Sequence, residues 1–210
     1  WMRENLKVAH YNDGDAIPTG LDNDAWSSTT EGSYAVYGDD PLNAEVYGNL
    51  YNWYAVDDDR GVCPENYHVP SDEEFKQLEI YLGMDEATAD LEEWRGTNQG
   101  SMLAGTEELW LDGTLKLNNA FGSIEFNAIP ASSRGLDGIY HNAVGEYTYF
   151  WSSDENTNDR AWYRVIYNSY SNINRYSLNK RLGFSIRCLE TIEGCTDSLA
   201  INDTYDPLAN

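Results

Sequence analysis

One segment of the chain carries its apolar residues at the spacing of an amphipathic helix, on one face of successive turns. These apolar positions are Phe75, Leu78, Tyr81 and Leu82. Ser71 and Glu74 just before them form a capping box, in which each side chain bonds a free N–H of the first turn. Gly83 suits the position after a helix end, where a left-handed backbone is common. The pattern therefore predicts a helix between residues 71 and 83.

Elsewhere the pattern is shorter and more strand-like. A weaker helix is predicted over residues 86–94, ending before Gly96. Short runs rich in β-branched and aromatic residues, separated by Gly, Asn and Asp, predict strands with long irregular loops between them. These runs are residues 6–11, 34–37, 51–56, 126–129, 147–151, 161–167 and 183–189. Two early helices and mostly late strands favour an α+β fold over an alternating α/β one.

Composition narrows the class of protein. The chain has 210 residues, enough for one large domain, and contains 16 Tyr and 7 Trp. Its net charge of −23 opposes binding to nucleic acid or to anionic lipid. It contains no run of about 18 apolar residues, so direct membrane insertion is not predicted. These features favour a protein that works on water-exposed partners.

The cysteines and histidines do not predict a metal site. Cys63, Cys188 and Cys195 include no Cys-x-x-Cys pair, and His10, His68 and His141 are far apart in sequence. A Cys63–Cys188 disulfide would close a very long loop and stabilise the fold by roughly 4–5 kcal/mol in the chain-entropy model. We expect this bond, which leaves Cys195 without a partner. No cofactor is predicted.

Catalytic and calcium-binding motifs are also missing from the sequence. It contains no Gly-x-Ser-x-Gly elbow and no phosphate-binding loop. The carboxylate clusters at 13–15, 39–40 and 57–59 do not match an EF-hand loop and are interpreted as solvated turns. We therefore expect a protein that is not an enzyme.

Residues 163–182 have an unusual composition, with 4 Tyr, 3 Ser and 4 Asn. Antibody paratopes have this composition because Tyr supplies rigid amphipathic contact area, while Ser and Asn adapt their hydrogen bonds. The alternative is a pair of ordinary strands joined by a polar loop, since Tyr also favours strands. Exposure of these side chains discriminates between the two interpretations.

Several sequence segments along the chain resemble the Fibrobacter succinogenes major paralogous domain. They are residues 1–6 (WMRENL), 47–56 (YGNLYNWYAV), 61–71 (GVCPENYHVPS), 126–130 (FNAIP), 150–153 (FWSS) and 183–188 (GFSIRC). The resemblance covers residues 1–189 and departs from the family at Tyr67, where Trp is usual, and at residues 131–134, which are usually richer in glycine. It implies a C-type-lectin-like fold with paired terminal strands, two helices and a small sheet supporting long loops. Family members are exported, attached to surfaces or associated with virions, which implies an extracellular, cell-surface or virion-surface location.

The last residues differ in character. Residues 191–210 are acidic and turn-like, and the stretch around Gly194-Cys195-Thr196-Asp197 resembles a short repeat of bacterial and viral surface proteins. Copies of that repeat usually carry a second Cys further on, which would explain the odd Cys195. We therefore divide the chain into a ligand-binding domain, residues 1–190, and an acidic tail that begins a surface-protein repeat or a linker.

Some family members resemble the variable proteins of diversity-generating retroelements, in which codons before the GFSIRC phrase are randomised at adenines. The residues here that match such an origin, and that we predict to bind ligand, are Tyr163, Val165, Tyr167, Ser169, Tyr170, Asn172, Tyr176, Ser177, Leu178, Arg181 and Leu182. The tyrosines are the expected hot spots and Arg181 the expected charged anchor. Scaffold positions are expected at Trp162, Ile166, Ile173, Phe184 and Ile186.

The function expected from these observations is display of a ligand-binding or receptor-binding surface on a lectin-like frame. The partner is a protein or glycan ligand on another cell or surface. The Glu-Pro-Asn, Gln-Pro-Asp and Trp-Asn-Asp tripeptides of calcium-dependent lectins do not occur. A calcium-independent lectin, whose aromatic rings stack on sugars, is one alternative. A structural subunit of a surface filament or virion, whose tyrosines pack against neighbouring copies in self-assembly, is another.

Overall fold

The computed structural model describes residues 1–141 and 143–192, a mixed α+β arrangement of short elements around one larger sheet. Its α-helices, numbered α1 to α7 in chain order, are Asn23–Ser28, Pro41–Tyr47, Trp53–Val56, Asp72–Tyr81, Glu86–Ala89, Gln99–Leu103 and Thr114–Leu117. Its strands, numbered β1 to β10, are Tyr34–Ala35, Leu50–Tyr51, Tyr67–His68, Glu93–Arg95, Ser133–Arg134, Tyr140–His141, Tyr147–Thr157, Arg160–Tyr167, Ile173–Asn179 and Leu189–Glu190. The tail predicted from residue 191 and its Cys195 lie almost wholly outside the described residues.

A four-stranded antiparallel sheet in the order β4-β9-β8-β7 forms the centre of the domain. Three two-stranded pairs surround it in the described ranges: β1 with β2, β3 with β10, and β5 with β6. Strands β7 and β8 are the longest described strands, with 11 and 8 residues, and each contains a run rich in aromatic or β-branched residues, which favour strands. The coarse prediction of an α+β fold with small antiparallel sheets is confirmed, although the described residues contain more helices than the two predicted.

Helix α4 follows the local signals of its sequence. The Ser71 hydroxyl accepts from the Glu74 N–H at 3.1 Å, and the Glu74 carboxylate accepts from the Ser71 N–H at 2.7 Å, which completes the predicted capping box. Gly83 follows the helix with φ +92°, a conformation that glycine adopts without strain. Phe75 and Leu82 are buried as predicted, whereas Tyr81 is 84% exposed and does not belong to the core face.

The prediction of a second helix over residues 86–94 is wrong for its second half. Helix α5 stops at Ala89, and Glu93–Arg95 form β4 instead, paired with Ile173–Asn179 of the central sheet. Pairing with a distant strand supplies the backbone hydrogen bonds that a continued helix would otherwise make. The predicted strand over 51–56 is also wrong after Tyr51, because Asn52 caps helix α3 through its side chain.

The first and last segments of the described chain lie side by side and are joined by backbone hydrogen bonds. The Met2 N–H donates to the Cys188 carbonyl and the Leu6 N–H to the Ile186 carbonyl, each at 2.9 Å. The predicted disulfide is present, joining Cys63 to Cys188 with their Cα atoms 6.0 Å apart. Its sulfurs belong to a buried cluster with Leu6 and Ile186, so the bond ties the region before α4 to the end of the domain.

One face of the central sheet packs on helix α4 around a buried ion network. Arg164 of β8 donates to Asp72 and to Glu79 of the helix, at 2.7 Å in each case. Arg175 of β9 contacts both oxygens of Asp72, and Arg95 of β4 donates to Glu79 at 2.5 Å. Three neighbouring strands are therefore attached to the same helix by charged hydrogen bonds. We call this side of the sheet the covered face.

No helix in the described ranges is both long enough and apolar enough to cross a membrane.

Candidate ligand-binding surface

The opposite side of the central sheet carries a dense set of rings. Residues that face each other across antiparallel strands project to the same side, and the register places Tyr147 beside Tyr167, and Trp94 beside Asn174. We call this side the aromatic face. Its residues are Trp94, Tyr147, Tyr149, Trp151, Glu155, Ala161, Tyr163, Val165, Tyr167, Asn174, Tyr176 and Leu178.

One end of the aromatic face is covered by the rest of the domain. Trp53 of α3 and Phe184 pack against Trp151, Tyr163 and their neighbours in one buried cluster. The Tyr163 ring lies 5.2 Å from that of Phe184 and 6.2 Å from that of Trp151, measured between centroids. Rings at this end therefore belong to the core of the domain.

The other end is open. The half-buried rings of Tyr147 and Tyr167 stack in parallel with centroids 4.0 Å apart. Tyr170, which is 47% exposed, contacts Trp94 edge-on at 4.7 Å and Tyr167 at 5.4 Å. Four rings from three strands and one loop thus form a continuous surface that solvent reaches. Mutual packing restricts their motion and lowers the entropy that a ligand would have to remove on binding.

The loop between β8 and β9 presents the polar residues of the predicted set. Ser169 and Asn172 are both half-buried, on either side of the exposed Tyr170. The Ser169 hydroxyl donates to the Asn168 side chain at 3.2 Å, and the Tyr170 N–H donates to the Tyr167 carbonyl at 3.0 Å. This loop is therefore a tight turn that holds Tyr170 at the rim of the open end.

Exposure divides the predicted binding residues into two groups. The expectation that Tyr163, Val165 and Ser177 are exposed is wrong, since these residues are only 6%, 4% and 3% accessible. Tyr163 and Val165 project to the aromatic face but beneath the cover, while Ser177 opposes Trp162 on the covered face and accepts from Asn156. The residues with accessible side chains are Tyr167, Ser169, Tyr170, Asn172, Tyr176, Leu178, Arg181 and Leu182.

Arg181 and Leu182 lie beyond β9 and serve the frame. The Arg181 guanidinium donates to the Ser27 carbonyl at 2.6 Å and to the Asn179 side chain at 3.3 Å. Leu182 packs against the buried cluster around Trp53 and Phe184. The expected charged anchor is therefore already occupied by contacts within the domain.

The residues predicted to be scaffold have that environment in the structure. Ile166, Ile173, Phe184 and Ile186 are buried. Trp162 is half-buried on the covered face, where the Arg175 guanidinium lies 4.0 Å from its ring centroid.

The prediction from sequence missed the following members of the aromatic face: Trp94, Tyr147, Tyr149, Trp151, Glu155, Ala161 and Asn174. Tyr147 and Tyr149 come from β7, Trp94 comes from β4, and Asn174 lies among the predicted residues but was not counted with them. The alternation Tyr147-Thr148-Tyr149 was a usable signal, because it places both rings on one side of a strand. Trp94 carried no such signal, since its segment was predicted to be helical.

The open end of the aromatic face is a neutral, amphipathic surface. Its members Trp94, Tyr147, Tyr167 and Asn174 carry no charge, whereas Glu155 lies opposite Ala161 toward the covered end and pairs with Lys180. Burial raises the pKa of Tyr147, as does its neighbour Tyr167, and burial likewise raises the pKa of Tyr163. These hydroxyls stay protonated at neutral pH and can donate hydrogen bonds. Centres of protein interfaces share this depletion of charge and enrichment in Tyr and Trp.

The carboxylate clusters have local partners. Asp58 accepts two hydrogen bonds from the Arg60 side chain, at 2.7 and 2.8 Å, and these bonds lower the pKa of Asp58. Asp39 accepts from the Tyr140 hydroxyl, and Asp40 caps helix α2. No group of three or more His, Cys, Asp or Glu side chains among the described residues could hold a metal ion.

Together these observations define a mixed α+β domain with a long-range disulfide and one open, ring-lined sheet face. The chain belongs to the Fibrobacter succinogenes major domain family, whose family model matches residues 1–190. Neither the curated proteins nor the solved structures include a significant match to the chain.

Proposed function

We propose that this domain binds a protein ligand outside the cell through the open end of its aromatic face, and that it does so without catalysis. The observation that carries the proposal is the continuous surface formed by Tyr147, Tyr167, Tyr170 and Trp94. Singly exposed rings are common on proteins, but a contiguous accessible patch of them is typical of an interaction site. Tyr and Trp are also the residues most often found as hot spots.

The construction beneath the surface supports a recognition role. Strands β4, β8 and β9 are attached to helix α4 by the buried ion network, and the covered end of the aromatic face packs on Trp53 and Phe184. On such a frame, exposed side chains can be substituted without movement of the backbone. We infer that the frame is the C-type-lectin-like fold implied by the family phrases, with terminal segments held together by backbone hydrogen bonds.

The proposed location is extracellular, on a cell or virion surface. The Cys63–Cys188 disulfide supports it, because disulfides persist in oxidising compartments and are rare in the cytosol. The net charge of −23 is consistent with a partner that is neither nucleic acid nor an anionic membrane.

We also propose that the accessible residues of the segment 163–182 are the product of adenine-directed diversification. The accessible members of the predicted set at the open end are Tyr167, Ser169, Tyr170 and Asn172, while the half-buried Tyr176 and Leu178 lie opposite Tyr163 and Ala161 toward the covered end. Comparison of the coding DNA with a nearby template copy tests this point. Differences restricted to template adenines support it, and differences spread over other bases refute it.

The ligand-binding role is tested with the folded domain as bait. A displayed library of cyclic peptides and a glycan array are screened in parallel, and each binder is titrated against Tyr170→Ala and Tyr167→Ala. We expect peptide binders that lose at least about tenfold in affinity in these variants, the loss typical of an interface hot spot.

Tyr81→Ala is the matched control, because Tyr81 is 84% exposed but lies on α4, away from the aromatic face. The proposed site would be contradicted if peptide affinity fell equally in Tyr81→Ala. It would also be contradicted if peptide affinity did not fall in the variants of the aromatic face. Glycan binding that depends on Tyr170 would instead favour a calcium-independent lectin, whose rings stack on sugars. Assembly in solution that Tyr170→Ala abolishes would favour a structural subunit.

A further inference from the structure

Asn174 lies at the centre of the aromatic face. Its direct neighbours across the strands are Trp94 of β4 and Val165 of β8, and Tyr176 is the next residue on the same side of β9. The residue is 9% exposed, and its Oδ1 atom is buried without a hydrogen-bond partner in the described part of the chain. The ring-lined surface therefore has a polar group in its floor.

A buried oxygen without a donor is costly, because it gives up hydrogen bonds to water and gains none from the protein. Of the few such side-chain atoms within residues 1–141 and 143–192, Asn174 Oδ1 is the one on the aromatic face. The others belong to Tyr11, Trp26, Thr148 and Arg187. An apolar residue between Trp94 and Val165 would cost less free energy on burial. The stability of the free domain therefore does not explain the amide at position 174.

We propose that Asn174 is a polar anchor for the ligand, and that it takes a neutral amide group of a partner protein, either a backbone peptide or an Asn or Gln side chain. This inference rests on the proposed ligand-binding function of the aromatic face. Oδ1 of Asn174 accepts from the N–H of the partner, and Nδ2 donates to its carbonyl, so that the two amides pair reciprocally.

The surroundings select this class of group. The direct neighbours of Asn174 on this face, Trp94, Val165 and Tyr176, include no carboxylate, so an ammonium or guanidinium inserted beside Asn174 would lose its hydration without an adjacent compensating charge. A carboxylate offers no donor for Oδ1. An amide is neutral, carries both a donor and an acceptor, and has a flat π-system that stacks on tyrosine rings.

Access to Asn174 requires movement of the rings around it. Trp94, Tyr167 and Tyr176 are all half-buried, so each has a solvent-facing edge. In the proposed complex the partner displaces these packed rings as it inserts its amide. The amide of Asn174 then supplies direction, while the rings supply contact area.

A pair of small probes isolates the donor. Benzamide and acetophenone have nearly the same shape, but only benzamide carries N–H groups. Both are titrated into ¹⁵N-labelled domain while the Trp94 indole and Asn174 side-chain amide signals are followed. We expect benzamide to bind about fivefold more tightly than acetophenone, the discrimination typical of one neutral hydrogen bond.

The variant Asn174→Leu removes the anchor while keeping the approximate volume, and Asn174→Val is the second variant should the first one fold poorly. In either variant the preference for benzamide should fall to about onefold. Asn158→Leu is the matched control, since it makes the same change in the exposed turn between β7 and β8, outside the proposed binding residues, and should retain the preference. Spectra of each variant establish that it is folded.

Each further outcome bears on a different claim. Binding of both probes at the face with equal affinity in the unmodified domain would overturn the anchor and leave the ligand surface standing. Absence of any shift at Trp94 would overturn both. Methyl β-glucoside binding that exceeds benzamide binding and depends on Asn174 would assign the donor to a sugar hydroxyl and refute the amide partner.

Discussion

The two faces of the central sheet are built from alternate residues of the same strands, yet they differ in almost every property. The covered face holds Arg164 and Arg175 in a buried network with Asp72 and Glu79 of helix α4. The aromatic face carries no charged member at its open end and leaves rings such as Tyr167 in contact with solvent. Charge is thus inside and aromatic surface outside, the reverse of the usual arrangement.

The difference shows how a domain can separate stability from recognition. Charged hydrogen bonds have strict geometry, so pairing of Arg164 and Arg175 with Asp72 is compatible with one register of β8 and β9. Stacked rings tolerate exchange for other side chains, because contact area rather than direction stabilises them. The covered face can therefore hold the strands in place while the aromatic face varies.

The largest expected effect comes from breaking the covered face. Arg164→Leu removes the partner of Asp72 and Glu79 and leaves two buried carboxylates with less compensation. We expect the free energy of unfolding to fall by about 3–5 kcal/mol. Urea unfolding followed by tryptophan fluorescence measures this change.

Arg160→Leu is the matched control for that variant, because Arg160 begins the same strand but is exposed and bonds only the Ser177 carbonyl among the described contacts. It should change the unfolding free energy by less than about 0.5 kcal/mol. Equal losses of unfolding free energy in the two variants would show that the buried ion network stabilises the domain no more than an exposed arginine does.

The second prediction compares the covered and open ends of the aromatic face. Tyr163→Ala removes a buried ring that packs against Trp151 and Phe184, and should destabilise the domain by about 3 kcal/mol. Thermal unfolding at matched conditions measures it. A loss of stability no larger than that expected for an exposed tyrosine would mean that Trp53 and Phe184 do not cover Tyr163 in solution.

The third prediction concerns acid. Burial alone would raise the pKa of Asp72, but hydrogen bonds from Arg175 and the charge and hydrogen bonds of Arg164 outweigh it, so the pKa of Asp72 is lowered from its ordinary value. The stabilisation is therefore fully present above the ordinary carboxyl range and is lost as the pH falls through the depressed pKa. We expect the stability difference between the unmodified domain and Asp72→Asn to be constant near neutral pH and to shrink in acid. A difference that grows in acid would contradict this sign.

The smallest effect on stability is expected at the open end. Tyr170→Ala removes a 47% exposed ring whose contacts are edges of Trp94 and Tyr167, and should cost no more than about 0.5 kcal/mol. The same variant should lose ligand affinity, so stability and binding separate at this residue. A large loss of stability would place Tyr170 in the frame instead.

Local signals explain which parts of the fold were predictable. Helix α4 was found from Ser71, Glu74 and Gly83, because capping and termination depend on residues within one or two turns. Strands β7 and β8 were found, β7 only over its first half, because residues 147–151 and 161–167 are rich in aromatic and β-branched residues. The Cys63–Cys188 bond was expected as the pair that closes a very long loop, and the structure confirms it.

The errors lie where distant segments decide the outcome. Residues 93–95 have no strong strand signal and join the sheet because β9 offers a free edge. Tyr163 and Tyr170 are the same residue type in the same segment, but Trp53 and Phe184 cover only the first of them. The sequence therefore predicted which residue types line the candidate site but only some of their positions.

The sequence by itself determined the family, the class of fold, one capped helix, the disulfide and the tyrosine-rich segment, since each depends on residue type and short-range spacing. Only the tertiary structure decided which rings of that segment face solvent, which strands bring Trp94, Tyr147 and Tyr149 beside them, and where Asn174 lies. The physical reason is that exposure is a property of what packs on a residue, and a packing partner can be distant in the chain, as Trp53 is from Tyr163 by about half its length.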